Sequence, residues 1–153
     1  MKRFALLLFV CVGLFASCKK SGGGDNVTPI DPRDRMVGAY AVGYNIRITF
    51  AGKELNPESN SGTVTVSKST QQASQIFIDF DFPGTKERVT GELNGNNFTV
   101  IDKKTEGIIL NGTTFTGQYS ATGQITANSE FIYTGVSEDS GLKKTTTVTG
   151  TKK

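Results

Sequence analysis

Gln75-Ile76-Phe77-Ile78-Asp79-Phe80-Asp81-Phe82 is the stretch that decides the fold. In an extended chain successive side chains point to opposite sides, so Ile76, Ile78, Phe80 and Phe82 share one face while Phe77, Asp79 and Asp81 share the other. This is a strand with one buried face. Pro83-Gly84 then turns the chain back.

The same reading extends in both directions. Upstream, residues 37–50 form a long strand whose Gly38 and Gly43 suggest a bend or bulge. A loop over residues 52–61, marked by Pro57, leads to the alternating strand of residues 62–67, which buries Val64 and Val66. Downstream, residues 86–93 present Val89, Gly91 and Leu93 inward and meet residues 96–101 across Asn94-Gly95, a dipeptide favoured in tight hairpins. Asn111-Gly112 separates residues 107–110 from residues 113–121, where Phe115, Gly117, Tyr119 and Ala121 share a face. Residues 129–136 and 143–151 complete the series, with a polar turn at residues 137–141. No stretch of a dozen residues has a helical period. The expected fold class is all-β, about eight antiparallel strands in a meander that closes into a barrel or half-barrel and so hides its edges. A two-sheet β-sandwich is the alternative.

The start of the chain is of another kind. Met1, Lys2 and Arg3 precede an apolar run over residues 4–16 that ends in Phe15-Ala16-Ser17-Cys18. A basic start, a short apolar core and small residues before the cut describe a secretory signal over residues 1–17, too short to remain as a membrane span. The small-small-Cys ending resembles a bacterial lipobox, with Phe15 where Leu is usual, and implies lipidation of Cys18. Residues 18–30 contain three successive glycines and then Pro29, with Pro32 just beyond, the composition of a flexible tether that stiffens toward the domain. At about 3.3 Å per residue it reaches a few nanometres at most. The remaining residues, 31–153, are the size of one domain with a real core.

Composition narrows the chemistry. Histidine is absent, and of the two cysteines Cys11 falls in the signal and Cys18 takes the lipid. Zinc sites of the usual kind, Ser-His-Asp and Cys-His nucleophiles and disulfides are therefore not expected, and neither an enzyme, a metal nor a cofactor is called for. The net charge of +3 falls to about +1 once Lys2 and Arg3 are removed, with both signs interspersed. That is not the basic field of a nucleic-acid binder.

With the pattern placed, the chain resembles a family of small lipoproteins of Bacteroidetes-type bacteria with a lipocalin-like (calycin) domain. The resemblance is carried by Cys18-Lys19-Lys20, by residues 31–40 (Asp-Pro-Arg-Asp-Arg-Met-Val-Gly-Ala-Tyr), by residues 93–100 around Asn94-Gly95, and by residues 111–117 around Asn111-Gly112. It implies an eight-stranded barrel or half-barrel in an outer-membrane lipoprotein, within a set whose function is mostly unassigned. Lipocalins proper often place Gly-x-Trp at the first strand, with a cation from the last strand over the indole. Here Gly38-Ala39-Tyr40 has Tyr40 in that place, and Lys143, Lys144 or Lys152 is the candidate cation.

Two kinds of site remain. Asp79 and Asp81 lie on one side of a strand, as paired carboxylates would, although alternating aspartates more often form a solvated outer face; Asp31, Arg33, Asp34 and Arg35 read as a charged lead-in. The aromatics are the better candidates for ligand binding: Tyr40, Tyr44, Phe80, Phe98, Phe115, Tyr119, Phe131 and Tyr133 occupy positions that can face inward and line the mouth of a small barrel. The expected function is a non-catalytic, outer-membrane-anchored domain binding a small hydrophobic ligand. The alternative is a structural or interaction module of the envelope whose barrel is filled by its own side chains. Lys19-Lys20 directly after Cys18, with Asp25 the nearest carboxylate, favours the periplasmic face over the cell surface.

Overall fold

The computed structural model describes residues 31–153; the expected signal, Cys18 and the expected tether lie outside them. The described chain forms nine strands: β1 (Gly38–Phe50), β2 (Lys53–Lys68), β3 (Gln75–Phe82), β4 (Thr85–Asn94), β5 (Asn97–Val100), β6 (Thr105–Leu110), β7 (Thr113–Ile125), β8 (Glu130–Asp139) and β9 (Leu142–Lys152). They are hydrogen-bonded in the order β5-β4-β3-β2-β1-β9-β8-β7-β6. The sheet then closes through β5 and β7, in the antiparallel register Asn97↔Gln124, Phe98↔Gly123 and Thr99↔Thr122. The result is an antiparallel barrel and not a sandwich, consistent with the lipocalin-like barrel that the resemblance implies. β5 and β6 use one edge of β7 in succession, so nine strands fill eight places in the wall.

Alternation builds the interior. The inward positions Tyr40 and Val42 of β1, Val64 and Val66 of β2, Ile76, Ile78 and Phe80 of β3, Val89 of β4, Phe98 and Val100 of β5, Phe131 of β8 and Val148 of β9 belong to one buried cluster. Each such side chain contributes roughly 1.5–3 kcal/mol on leaving water. β3 faces as its sequence suggests.

Three details differ from the sequence reading. The segment expected to be a loop, residues 52–61, is mostly the first half of β2, paired with β1 from Phe50↔Lys53 onward. Its two-residue turn, Ala51-Gly52, has φ of 48° and 77°, the twist that suits a hairpin even without the favoured Asn-Gly. Pro57 is tolerated because the register slips between Ile46 and Ile48, and because β3 pairs with β2 only over residues 63–68. The Asn94-Gly95 hairpin is centred one residue later, since Asn94 pairs with Asn97 and Gly95 alone has positive φ. The polar turn expected at residues 137–141 shrinks to Ser140-Gly141, and Ser137 is buried in β8.

The charged lead-in is a lid on one end of the barrel. Residues 32–36 form turns, with Met36 N–H donating to Arg33 C=O at 2.9 Å, and Met36 is buried. Arg33, 8% exposed, donates through Nη1 to the carbonyls of Ser69, Gln72 and Gln75 at 3.2, 3.0 and 3.2 Å, and through Nη2 to the Asp31 carboxylate at 2.8 Å. That side-chain bond is the main reason the Asp31 carboxyl lies well below the usual carboxylate range. The Tyr40 hydroxyl donates to Met36 C=O at 2.6 Å. None of the three candidate lysines lies over its ring: Lys143 pairs with Glu138, Lys144 with Glu106, and Lys152 donates to Arg35 C=O.

Candidate functional site

The other end of the barrel is open. β3 and β2 stop pairing at Thr63↔Asp81, whereas β2 continues beside β1 to Lys53 and β9 runs beside β1 as far as Leu142. The wall is therefore low at β3–β4 and high elsewhere. Inward positions at this level bring together Phe80 and Phe82 of β3, Thr85 and Glu87 of β4, Glu106 of β6, Tyr119 of β7, Tyr133 of β8 and Thr146 of β9. They surround a cavity of about 40 Å³, space for a few waters but far below the 300–1,000 Å³ or so of a typical ligand pocket. Above it a mouth of about 180 Å³ adds Tyr44, Ile46, Glu58 and Lys144 to the lining.

The cluster is organised around Lys103. Its Nζ lies 2.7 Å from Glu87 Oε1, 3.0 Å from Glu106 Oε1 and 4.4 Å from the centre of the Tyr119 ring. Lys144 adds a second cation 3.4 Å from Glu106 Oε1. Burial pulls the Lys103 ammonium down, but its bonds to Glu87 and Glu106 more than offset this and leave it raised and charged. Both carboxylates are thus neutralised from within the protein. Below them the Tyr119 and Tyr133 hydroxyls hydrogen-bond each other, and burial drives both phenols to stay protonated. One of the two protons makes that bond. At the rim the Tyr44 hydroxyl donates to Glu58 Oε1 at 3.5 Å.

The structure sorts the eight aromatic candidates into three groups. Tyr40, Phe80, Phe98, Phe131 and Tyr133 fill the interior against one another, with centroids 5.7 Å apart for Tyr40 and Phe131, 5.9 Å for Phe98 and Phe131, and 5.0 Å for Phe80 and Tyr133. Tyr44, stacked on Phe82 at 4.3 Å, and Tyr119 line the mouth. Phe115 is 37% exposed, although it keeps the inward parity and its cross-strand partner Ile108 is buried.

Asp79 and Asp81 point outward and pair with their cross-strand neighbours, Asp79 with Arg88 at 2.6 Å and Asp81 with Lys86 at 3.3 Å. That is a solvated face. The residues missed by sequence reasoning are Glu87, Glu106 and Lys103. Glu87 shares the parity of Val89, Gly91 and Leu93, and this was the available signal; Glu106 lay just before the strand as read. Among the described residues no group of three or more potential ligands that could hold a metal occurs. No family model matches the chain, and no curated protein does.

Proposed function

We propose that the protein is a lipid-anchored, non-catalytic interaction module of the bacterial cell envelope, facing the periplasm, whose barrel is a rigid scaffold and not a carrier. The observation that supports this reading over a small-hydrophobic-ligand carrier is the interior: five aromatic rings meet across it and about 40 Å³ remains. The sequence Ala16-Ser17-Cys18-Lys19-Lys20 fits the same reading. A carrier would have to open this core, losing the dispersion contacts that close packing supplies.

Two experiments test it. Cys18→Ala is expected to move the protein from the membrane to the soluble fraction; unchanged membrane retention would remove the anchor. Native mass spectrometry of protein extracted from its own envelope is expected to give the lipidated chain with no second apolar molecule. A stoichiometric co-purifying lipid-like ligand would restore the carrier reading.

A further inference from the structure

The wall of the barrel has a gap. After β5 ends at Val100 the chain passes through residues 101–104 and restarts as β6, so β4 is paired by β5 only over residues 91–94 and by no strand on that side over residues 85–88. Among the described residues β6 pairs with β7 and with no other strand. The facing edges of β4 and β6 keep their Cα atoms more than 8 Å apart at nearly every position, against about 4.8 Å between paired strands. No backbone ladder can join the two edges at that distance.

Both edges direct backbone groups into the gap. Thr90 C=O accepts from Ile101 N–H at 3.0 Å, and Thr90 N–H donates to the Asp102 carboxylate at 2.9 Å, which ends the β4–β5 ladder. By alternation the N–H and C=O of Arg88 and Lys86 point the same way, with no strand among the described residues to meet them. On β6, Lys104 C=O accepts from Tyr119 N–H at 2.8 Å on the β7 side. The backbone groups of Thr105, Gly107 and Ile109 therefore turn toward β4. Beneath the gap Lys103 joins Glu87 to Glu106, so side chains hold the two edges where no backbone bond does.

We propose that this gap receives an extended peptide segment of a partner protein as an added strand, small at its inward positions and acidic at its outward ones. The inward side chains would meet the cavity of about 40 Å³ over Tyr119, which leaves no room for a large group. The outward ones would lie beside Lys86 and Arg88, which already hold Asp81 and Asp79 at 3.3 and 2.6 Å but remain 80% and 61% exposed, so that a carboxylate on the added strand would share these cations from the other side. The proposal deepens the interaction-module reading and rests on it, with recognition placed in the wall and not in the interior.

The test uses the full mature chain made soluble by Cys18→Ala, with a capped six-residue peptide alternating glutamate and alanine as the probe. Amide exchange read residue by residue is expected to be fast at Lys86, Arg88 and Gly107 in the free protein and at least about tenfold slower with saturating peptide. The same peptide N-methylated at alternate amides keeps its charges but loses its ladder, and is expected to bind at least about tenfold more weakly. Absence of peptide binding, equal binding of both peptides, or edge amides already as protected as those of Val66 and Ile78 would each overturn the proposal. If peptide binding fails while the barrel still excludes apolar ligands, only this proposal falls; uptake of an apolar ligand inside would instead sink the reading beneath it.

Discussion

At the lidded end of the barrel one cation, Arg33, spends its donors on three backbone carbonyls and one carboxylate, and Met36 and Tyr40 are buried beneath it. At the open end another cation, Lys103, is shared between two carboxylates and leaves a cavity at its side. The contrast is between a charge used to finish the backbone's hydrogen bonding and a charge used to hold apart two edges whose bonding is unfinished. A planar guanidinium with five fixed donors suits the first task, a compact ammonium on a flexible stem the second. One end therefore completes its backbone hydrogen bonding, and the other leaves two strand edges without a partner strand among the described residues.

That difference can be broken by substitution. Phe131, fully buried between Tyr40, Phe80 and Phe98, is expected to cost about 3–5 kcal/mol on Phe131→Ala. Chemical denaturation measures it, and a loss under about 1 kcal/mol would mean that the interior is loosely filled. Gly123→Ala comes next. A Cβ there would stand 2.2 Å from Phe98 Cζ and 2.6 Å from Ile132 O, an overpacking expected to cost about 1–3 kcal/mol.

Asp31→Asn sharpens the comparison through pH. The folded-state pKa of Asp31 is depressed, chiefly by Arg33, so its stabilisation is present above the unfolded value of about 3.9 and is lost as pH falls through the folded one. The stability gap between wild type and Asp31→Asn is therefore expected to be constant near neutrality and to close only below the ordinary carboxylate range. A gap already closing between pH 7 and 5 would show that the lid is held otherwise. The smallest effect belongs to Asp79→Ala on the outer face, expected to change stability by no more than about 0.5 kcal/mol because its partner Arg88 is well exposed. A loss comparable to that of Phe131→Ala would shift the inside–outside assignment of β3 by one residue.

Much of the barrel was legible because strand alternation is local: Ile76, Ile78 and Phe80 point inward and Asp79 and Asp81 outward, as their spacing says. What escaped depends on contacts distant in the chain. Pro57 reads as a loop marker until a register slip beside β1 and a missing neighbour at β3 make room for it. Arg33 reads as a solvated charge, since nothing nearby reveals that the carbonyls of Ser69, Gln72 and Gln75 converge on it. Phe115 has the parity of a core residue, but parity sets only the face of the sheet and not the depth of burial. The site was partly visible in Tyr44, Tyr119 and Tyr133. Its charged half was not, because Glu87 and Glu106 meet only through Lys103, across a gap that no strand spans.

The central claim is that the interior is full, and uptake of benzene by the wild type and by Phe131→Ala, followed through the amide and methyl resonances of Val64, Ile78 and Val148, tests it most directly. Benzene occupies engineered dry cavities of about 150 Å³. The expected result is no perturbation in the wild type and saturable shifts in Phe131→Ala, where a large ring has been removed. Saturable shifts of the same residues in the wild type would contradict the account and make the barrel a ligand carrier.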